Sequence, residues 1–204
     1  MFQAPKRKRV KPVMCIVAGP NGSGKTTTTE QLLKNEWGAD SLYINPDNIA
    51  QEKYGDWNSA DAVLKAAQTA TEQRYECLSN GTDFVFETVF SSAEKMEFLR
   101  KAKDAGFFIR IFYVCTESPL ININRIAQRY LNGGHEVPIS KTISRYYSSL
   151  KNISEAIRIA DRVYLYDNST ENAAPRLILR TADGKIVKCY TDDVPEWVKA
   201  VSKN

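Results

Sequence analysis

Residues 13–29 read VMCIVAGPNGSGKTTTT, and this stretch decides the fold. A short, wholly apolar run ends in a glycine-rich turn, and a lysine and a threonine follow at once. GPNGSGKT, Gly19–Thr26, matches G-x-x-x-x-G-K-[ST] in full. The run before it is too short for a core helix and reads as a buried strand. KTTTTEQLLKN after it reads as a helix. Between them the glycines let the backbone curl so that its N–H groups converge on phosphate oxygens, and the helix start adds its positive end. Gly19, Pro20, Asn21, Gly22, Ser23, Gly24, Lys25, Thr26 and Thr27 are therefore expected to line a nucleotide site. Lys25 would reach the β- and γ-phosphates, and the Thr26 hydroxyl would face Mg2+.

Outward from this loop, short apolar runs alternate with longer helical patterns. SLYIN, DFVFET, FFIRIFYVC and RVYLYD read as strands. SADAVLKAAQTATEQRYECLSNG reads as a helix capped by Ser59, ended by Gly81, with Ala60, Val63, Leu64, Ala67, Thr71, Tyr75 and Leu78 on one face. SSAEKMEFLRKAKDAG is a second capped helix. Further helices are expected over about 118–131 and 139–159. RLILRTADGKIVKCY reads as a hairpin turning at Asp183–Gly184, and PEWVKAVS as a short closing helix. Such alternation predicts an α/β fold: a P-loop kinase-like parallel sheet with helices on both faces, a helical-hairpin lid and a small C-terminal β-hairpin. One domain over 13–204, behind a basic tail over 1–12, is expected for a chain of 204 residues.

The nucleotide loop gives meaning to acids at other strand ends, because ligands in parallel sheets bind at the carboxyl ends of strands. Asp47 follows the strand SLYIN in INPDNIA, on a turn at Asn45–Pro46 that aims it at the cleft. It is the candidate general base or Mg2+-linked acid. Glu87 ends DFVFE in the same way and is a candidate Mg2+ partner or substrate contact, or else an acid serving the helix start at Ser91–Ser92. Glu72, on a polar helix side, is a weaker substrate-binding candidate. Arg125 and Arg129 stand four apart on one helix, with Ile123, Ile126, Ala127 and Tyr130 as its buried side. Arg145 lies on the next helix, beyond the Gly133–Gly134 hinge and His135. A lid over about 122–146 could deliver these arginines to a transferring phosphoryl group.

Charge and cysteines narrow the class. The net charge is +4, but Lys6, Arg7, Lys8, Arg9 and Lys11 carry +5 of it, leaving the body at −1. That near-neutral body argues against a nucleic-acid groove. No LSGGQ-like or NKxD motif occurs, which argues against a transport ATPase or a regulatory GTPase. No apolar run approaches a membrane span, and no secretory leader is apparent. The four cysteines form no C-x-x-C, and with a single histidine a zinc site is not expected. A reducing cytoplasm fits best.

GPNGSGKTT, INPDNIA, FVFETVFSS, NRIAQRYLNGGHEVP, ISRYYSSLKNI and DRVYLYDNS, in that order over roughly 13–169, together resemble the zeta-toxin family of P-loop kinases. The resemblance implies an ATP- and Mg2+-dependent phosphotransferase with an alcohol acceptor. It implies Lys25 as the phosphate lysine, Asp47 as the catalytic aspartate, Glu87 as the post-strand glutamate and lid arginines among Arg125, Arg129 and Arg145. The best-known family members phosphorylate UDP-N-acetylglucosamine, poison cell-wall synthesis and are held off by a small antitoxin protein. This chain carries NPD where the toxins carry acid–x–acid, and ETVF where they carry an EGT-like sequence. Alternative readings stay open at this point: a kinase on a nucleotide, NAD or a nucleic-acid end, or a nucleotide-binding switch engaging a partner protein.

Overall fold

The computed structural model describes residues 11–33, 41–54, 59–132 and 137–203. Seven strands form one sheet: β1 (Val13–Ala18), β2 (Leu42–Ile44), β3 (Phe84–Thr88), β4 (Phe108–Cys115), β5 (Arg162–Asp167), β6 (Arg176–Ala182) and β7 (Lys185–Cys189). Their spatial order is β2-β3-β1-β4-β5-β6-β7. The first five run parallel, and β6 and β7 add antiparallel to the β5 edge. The helices are α1 (Lys25–Leu33), α2 (Pro46–Tyr54), α3 (Ala60–Asn80), α4 (Ala93–Asp104), α5 (Pro119–Leu131), α6 (Ile139–Ala156) and α7 (Glu196–Ser202). None among the described residues is long and apolar enough to cross a membrane.

Every residue of β1 is buried, as a strand covered by helices on both faces demands. The chain leaves β1 for β2 on one side and returns through β3. It then passes to β4 and β5 on the other side. That reversal makes the carboxyl end of β1 the crevice where ligands bind. One sheet face carries the larger core, with Phe84, Phe86, Phe98 and Phe107 meeting mostly edge to face at centroid separations of 5.9–6.3 Å. The other carries Val13, Cys15, Val17, Val85, Phe112 and Tyr164. Truncating a central phenylalanine to alanine in such a core costs about 3–5 kcal/mol.

The sequence cues for α3 hold at its ends. The Ser59 hydroxyl accepts the Ala62 N–H at 3.1 Å, and Gly81 closes the helix at φ +62°. Its buried face is different from the expected one. Ala62, Ala66, Ala70, Arg74 and Cys77 face inward, while Val63 and Leu64 are exposed. Small alanines let α3 lie close against its neighbours, and one arginine completes the stripe. The Arg74 guanidinium sits 5.3 Å from the Phe86 ring centroid and 5.7 Å from that of Phe98, with the Thr71 hydroxyl at 2.9 Å. A flat cation is thereby accommodated in the core against aromatic faces.

α5 departs in the same manner. Asn122 and Ile126 are buried, Ile123 is half-buried, and Ala127 and Tyr130 face solvent. A polar residue takes the inward place because a carbonyl of the nucleotide loop waits there.

Candidate active site

The loop after β1 keeps the shape its glycines permit. Gly22 and Gly24 sit at φ +76° and +94°, where L side chains are strained. A Cβ on Gly22 would lie 2.7 Å from the Asn122 carbonyl oxygen, and one on Gly24 would lie 2.3 Å from Asn168 Nδ2. Both contacts hold the loop in place. Asn122 Nδ2 donates to the Asn21 carbonyl at 2.6 Å, and Asn168 Nδ2 donates to the Ser23 carbonyl at 2.8 Å. Each asparagine is itself fixed. The Thr116 hydroxyl donates to Asn122 Oδ1, and the Asn168 N–H donates to the Cys115 carbonyl at 2.8 Å. Asp167 next door is buried and accepts the Trp197 indole N–H at 2.9 Å, which ties this wall to α7.

Lys25 opens α1. Its ammonium donates to the carbonyls of Gly19 at 2.9 Å and Pro20 at 3.0 Å. Burial pushes its pKa down to about 8; Glu87 and Asp47 raise it and Arg129 lowers it. A lysine that gives up part of its charge to burial gains it back beside an anion. In the TTTT run, Thr28 and Thr29 are buried and bond back to the Gly24 and Lys25 carbonyls at 3.5 and 3.2 Å, while Thr26 and Thr27 are exposed. The buried Ser23 hydroxyl has no hydrogen-bond partner among the described residues. Inward-curled backbone, an orphaned hydroxyl and a lysine short of an anion together fit a nucleotide triphosphate.

Asp47 is on a helix and not on a turn. Asn45 is its N-cap: Oδ1 accepts the Asp47 N–H at 2.9 Å, the carbonyl accepts the Ile49 N–H at 3.1 Å, and Pro46 takes the first helical position. Asp47 stands exposed in that first turn. Glu87 is half-buried near the end of β3 and accepts the Tyr43 hydroxyl at 2.6 Å. It takes no part in the start of α4, where Ser92 caps without a side-chain bond. Among the described residues no three acids, cysteines or histidines gather to hold a metal. The oxygens of Thr26, Asp47 and Glu87 suit Mg2+, which keeps waters and phosphate oxygens and needs only one or two protein ligands.

The three arginines separate. Arg145 of α6 reaches Asn21 Oδ1 at 3.3 Å and so stands over the nucleotide loop. Arg129 is exposed but close enough to act on Lys25. Arg125 turns the other way and donates to the Thr170 carbonyl at 3.4 Å, after β5. Glu72 is exposed on α3, with no hydrogen bond or ion pair to a cleft residue among the described residues. Gly133, Gly134 and His135 lie outside the described residues. Sequence reasoning missed Tyr43, Asn45, Asn122 and Asn168 as site-builders. Only the position of Asn168, directly after a strand ending in an acid, offered a signal.

A phosphate-binding loop at the carboxyl end of a central parallel strand, with one acid near the end of the adjacent β3 and another just after β2 beyond it, defines a P-loop protein of the kinase-like kind. The chain belongs to the zeta toxin family, whose model matches residues 2–174. The AvrRxo1-ORF1:AvrRxo1-ORF2 complex, known also with ATP, superposes with a TM-score of 0.68 at 15% identity over 94% of this chain. This chain spans 64% of the length of that one. A structure from the PezAT chromosomal toxin-antitoxin system of Streptococcus pneumoniae gives 0.61 at 16% identity, over 97% of this chain and 79% of that one. An uncharacterized protein of Haemophilus influenzae is 28% identical over 117 residues, which are 57% of this chain and 80% of its own.

The depressed Lys25 pKa has a measurable consequence. A phosphate beside the ammonium raises the pKa again, so nucleotide binding above pH 8 takes up a proton. Affinity is then level below about pH 8 and falls above it by up to about tenfold per pH unit. Calorimetry at pH 8.5–9 in buffers of differing ionisation enthalpy reads this uptake. Zero uptake there would remove Lys25 from the phosphate contact.

Proposed function

We propose that the protein is an ATP- and Mg2+-dependent kinase that phosphorylates a hydroxyl of a nucleotide-sugar such as UDP-N-acetylglucosamine. The observation that carries this reading is the set of charges placed around the loop that holds Lys25: Glu87 near the end of β3, Asp47 in the first turn of α2, and Arg145 of α6, which reaches Asn21 Oδ1 at 3.3 Å. A passive nucleotide switch needs the lysine but gains nothing from three further charges set around it.

In this reading Lys25 binds the β- and γ-phosphates. Arg129 and Arg145 balance the charge that spreads over the transferring group. The carboxylate of Asp47 takes the proton of the acceptor hydroxyl. Thr26 and Glu87 would hold a Mg2+ ion, which would neutralise phosphate charge. Arg125 belongs to the wall after β5 and steadies α5 there. α5 and α6 form the lid. Zeta-toxin family membership and the toxin-antitoxin neighbour in Streptococcus pneumoniae support a toxin held off by a small antitoxin protein. A cytoplasmic setting fits the free thiols of Cys15, Cys77, Cys115 and Cys189.

The test is transfer from labelled ATP to a panel of UDP-sugars, mononucleotides, NAD and oligonucleotides, with mass spectrometry of the products. Phosphorylated UDP-N-acetylglucosamine is the expected result. A clean negative there with strong transfer to another panel member would replace the acceptor. ATP binding without transfer to any member would favour the switch.

A further inference from the structure

Glu87 lies beside the phosphate loop, opposite Val17 on β1 and one residue before the Thr88 carbonyl that accepts the Gly19 N–H at 3.2 Å, while the Lys25 ammonium donates to the Gly19 carbonyl, yet among the described residues neither Glu87 nor Asp47 forms an ion pair with Lys25. A mobile glutamate beside a half-buried lysine would ordinarily close on it. What holds Glu87 back is visible in the pleat. Tyr43 on β2 stands opposite Val85 on β3, and Glu87 lies two residues on, on the same face, within reach of a long side chain across the diagonal. The Tyr43 hydroxyl donates to Glu87 Oε1 at 2.6 Å. The Tyr43 ring packs against the apolar cluster of Val13, Cys15, Val17 and Val85, which leaves it little freedom.

The phenol is anchored in turn. Asn45, two residues beyond Tyr43, donates Nδ2 to the phenol oxygen at 2.8 Å, and its Oδ1 accepts the Asp47 N–H at 2.9 Å. One side chain thus caps the helix that carries Asp47 and orients the hydroxyl that holds Glu87. Cap, phenol and carboxylate form one hydrogen-bonded path from the first turn of α2 to the end of β3.

We infer that Tyr43 and Asn45 are positioning residues that tether Glu87 away from Lys25, so that the ammonium stays available to nucleotide phosphate. The inference rests on the kinase reading for its catalytic consequence, but its binding consequence stands alone. Without the phenol, Glu87 swings toward Lys25, pairs with it and competes with the incoming phosphate. The defect is then caused by Glu87, and removing Glu87 cures it.

The experiment is a two-residue cycle on the full chain. Tyr43→Phe keeps the ring packing and removes only the hydroxyl. Its ATP affinity, by calorimetry, is expected to fall about tenfold. Tyr43→Phe with Glu87→Ala is expected to bind ATP as Glu87→Ala alone does, a non-additivity no general loss of folding would give. Asn45→Ser keeps a cap acceptor but is too short to reach the phenol, and is expected to show a smaller defect of the same kind. Wild-type affinity in Tyr43→Phe, or a double variant weaker than Glu87→Ala by the full Tyr43 effect, overturns the tether. Protein that binds ATP but transfers no phosphate overturns the kinase reading only, because the affinity cycle still decides the tether.

Discussion

Lys25→Ala is expected to weaken ATP binding and to lower phosphoryl transfer by about 10²–10³-fold, the scale on which a single preorganised charge-stabilising donor acts in a water-poor site. The ammonium lies at the start of α1, folded over the loop onto the Gly19 and Pro20 carbonyls, so its loss removes a full positive charge from the phosphate cradle. Folding is expected to suffer little. The wild-type lysine is partly desolvated, as its lowered pKa records, and the alanine removes that cost together with the two bonds to the Gly19 and Pro20 carbonyls. Lys25→Arg is not expected to rescue, since the broad guanidinium fork cannot take the place of a compact ammonium in this loop. Steady-state transfer from labelled ATP and calorimetric ATP affinity, beside a thermal melt, read the three quantities. Retained turnover and affinity in folded Lys25→Ala would dismiss the nucleotide site.

That β1, the loop and α1 could be placed from the residues alone follows from how local that stretch is. GPNGSGKT needs only its own glycines and the helix start to make a cradle, so strand, loop and helix came out of one contiguous stretch. The ends of α3 were equally local, a serine hydroxyl and a left-handed glycine. INPDNIA was half legible. The acid does follow directly on β2, but Asn45, Pro46 and Asp47 are cap, first and second positions of a helix, and the proline that suggested a turn is the proline that opens α2. The same three residues suit either outcome until Asn45 is known to cap.

What stayed hidden depends on distant partners. Asn122 looks like any polar helix residue until the Asn21 carbonyl, 101 positions away, comes to it. Asn168 meets Ser23 across 145 positions, and Tyr43 meets Glu87 across 44. The stripe of α3 was misread because hydrophobicity ranked Val63 and Leu64 above alanine, whereas close approach selects the smaller side chains. The arginines illustrate the limit of periodicity. Arg125 and Arg129 share a helix face by spacing. Yet one is drawn to Thr170 and the other to the neighbourhood of Lys25, because side-chain reach over four or five bonds exceeds what a helical wheel resolves.

Asp47→Asn is expected to reduce transfer by about 10²–10⁴-fold, the usual worth of a positioned general base, while ATP still binds. The substitution isolates basicity from everything else the residue does. Asparagine has the same length, and the Asp47 N–H that Asn45 accepts is backbone and survives. What the helix loses is a negative charge in its first turn, worth about 0.3–1 kcal/mol at an exposed position. A transfer defect of several kcal/mol beside so small a stability change could not come from a damaged α2. The contrast with Glu87 sharpens the assignment. Glu87 has one oxygen engaged by Tyr43, whereas Asp47 is exposed with both carboxylate oxygens free of hydrogen bonds among the described residues. Of the two acids, only Asp47 has the freedom to meet an acceptor hydroxyl as the phosphorus–oxygen bond forms. Single-turnover transfer in Asp47→Asn, measured with saturating ATP and acceptor, separates this chemical defect from binding. A rate near wild type would leave Asp47 as a first-turn helix acid, and the proton would have to leave by another route.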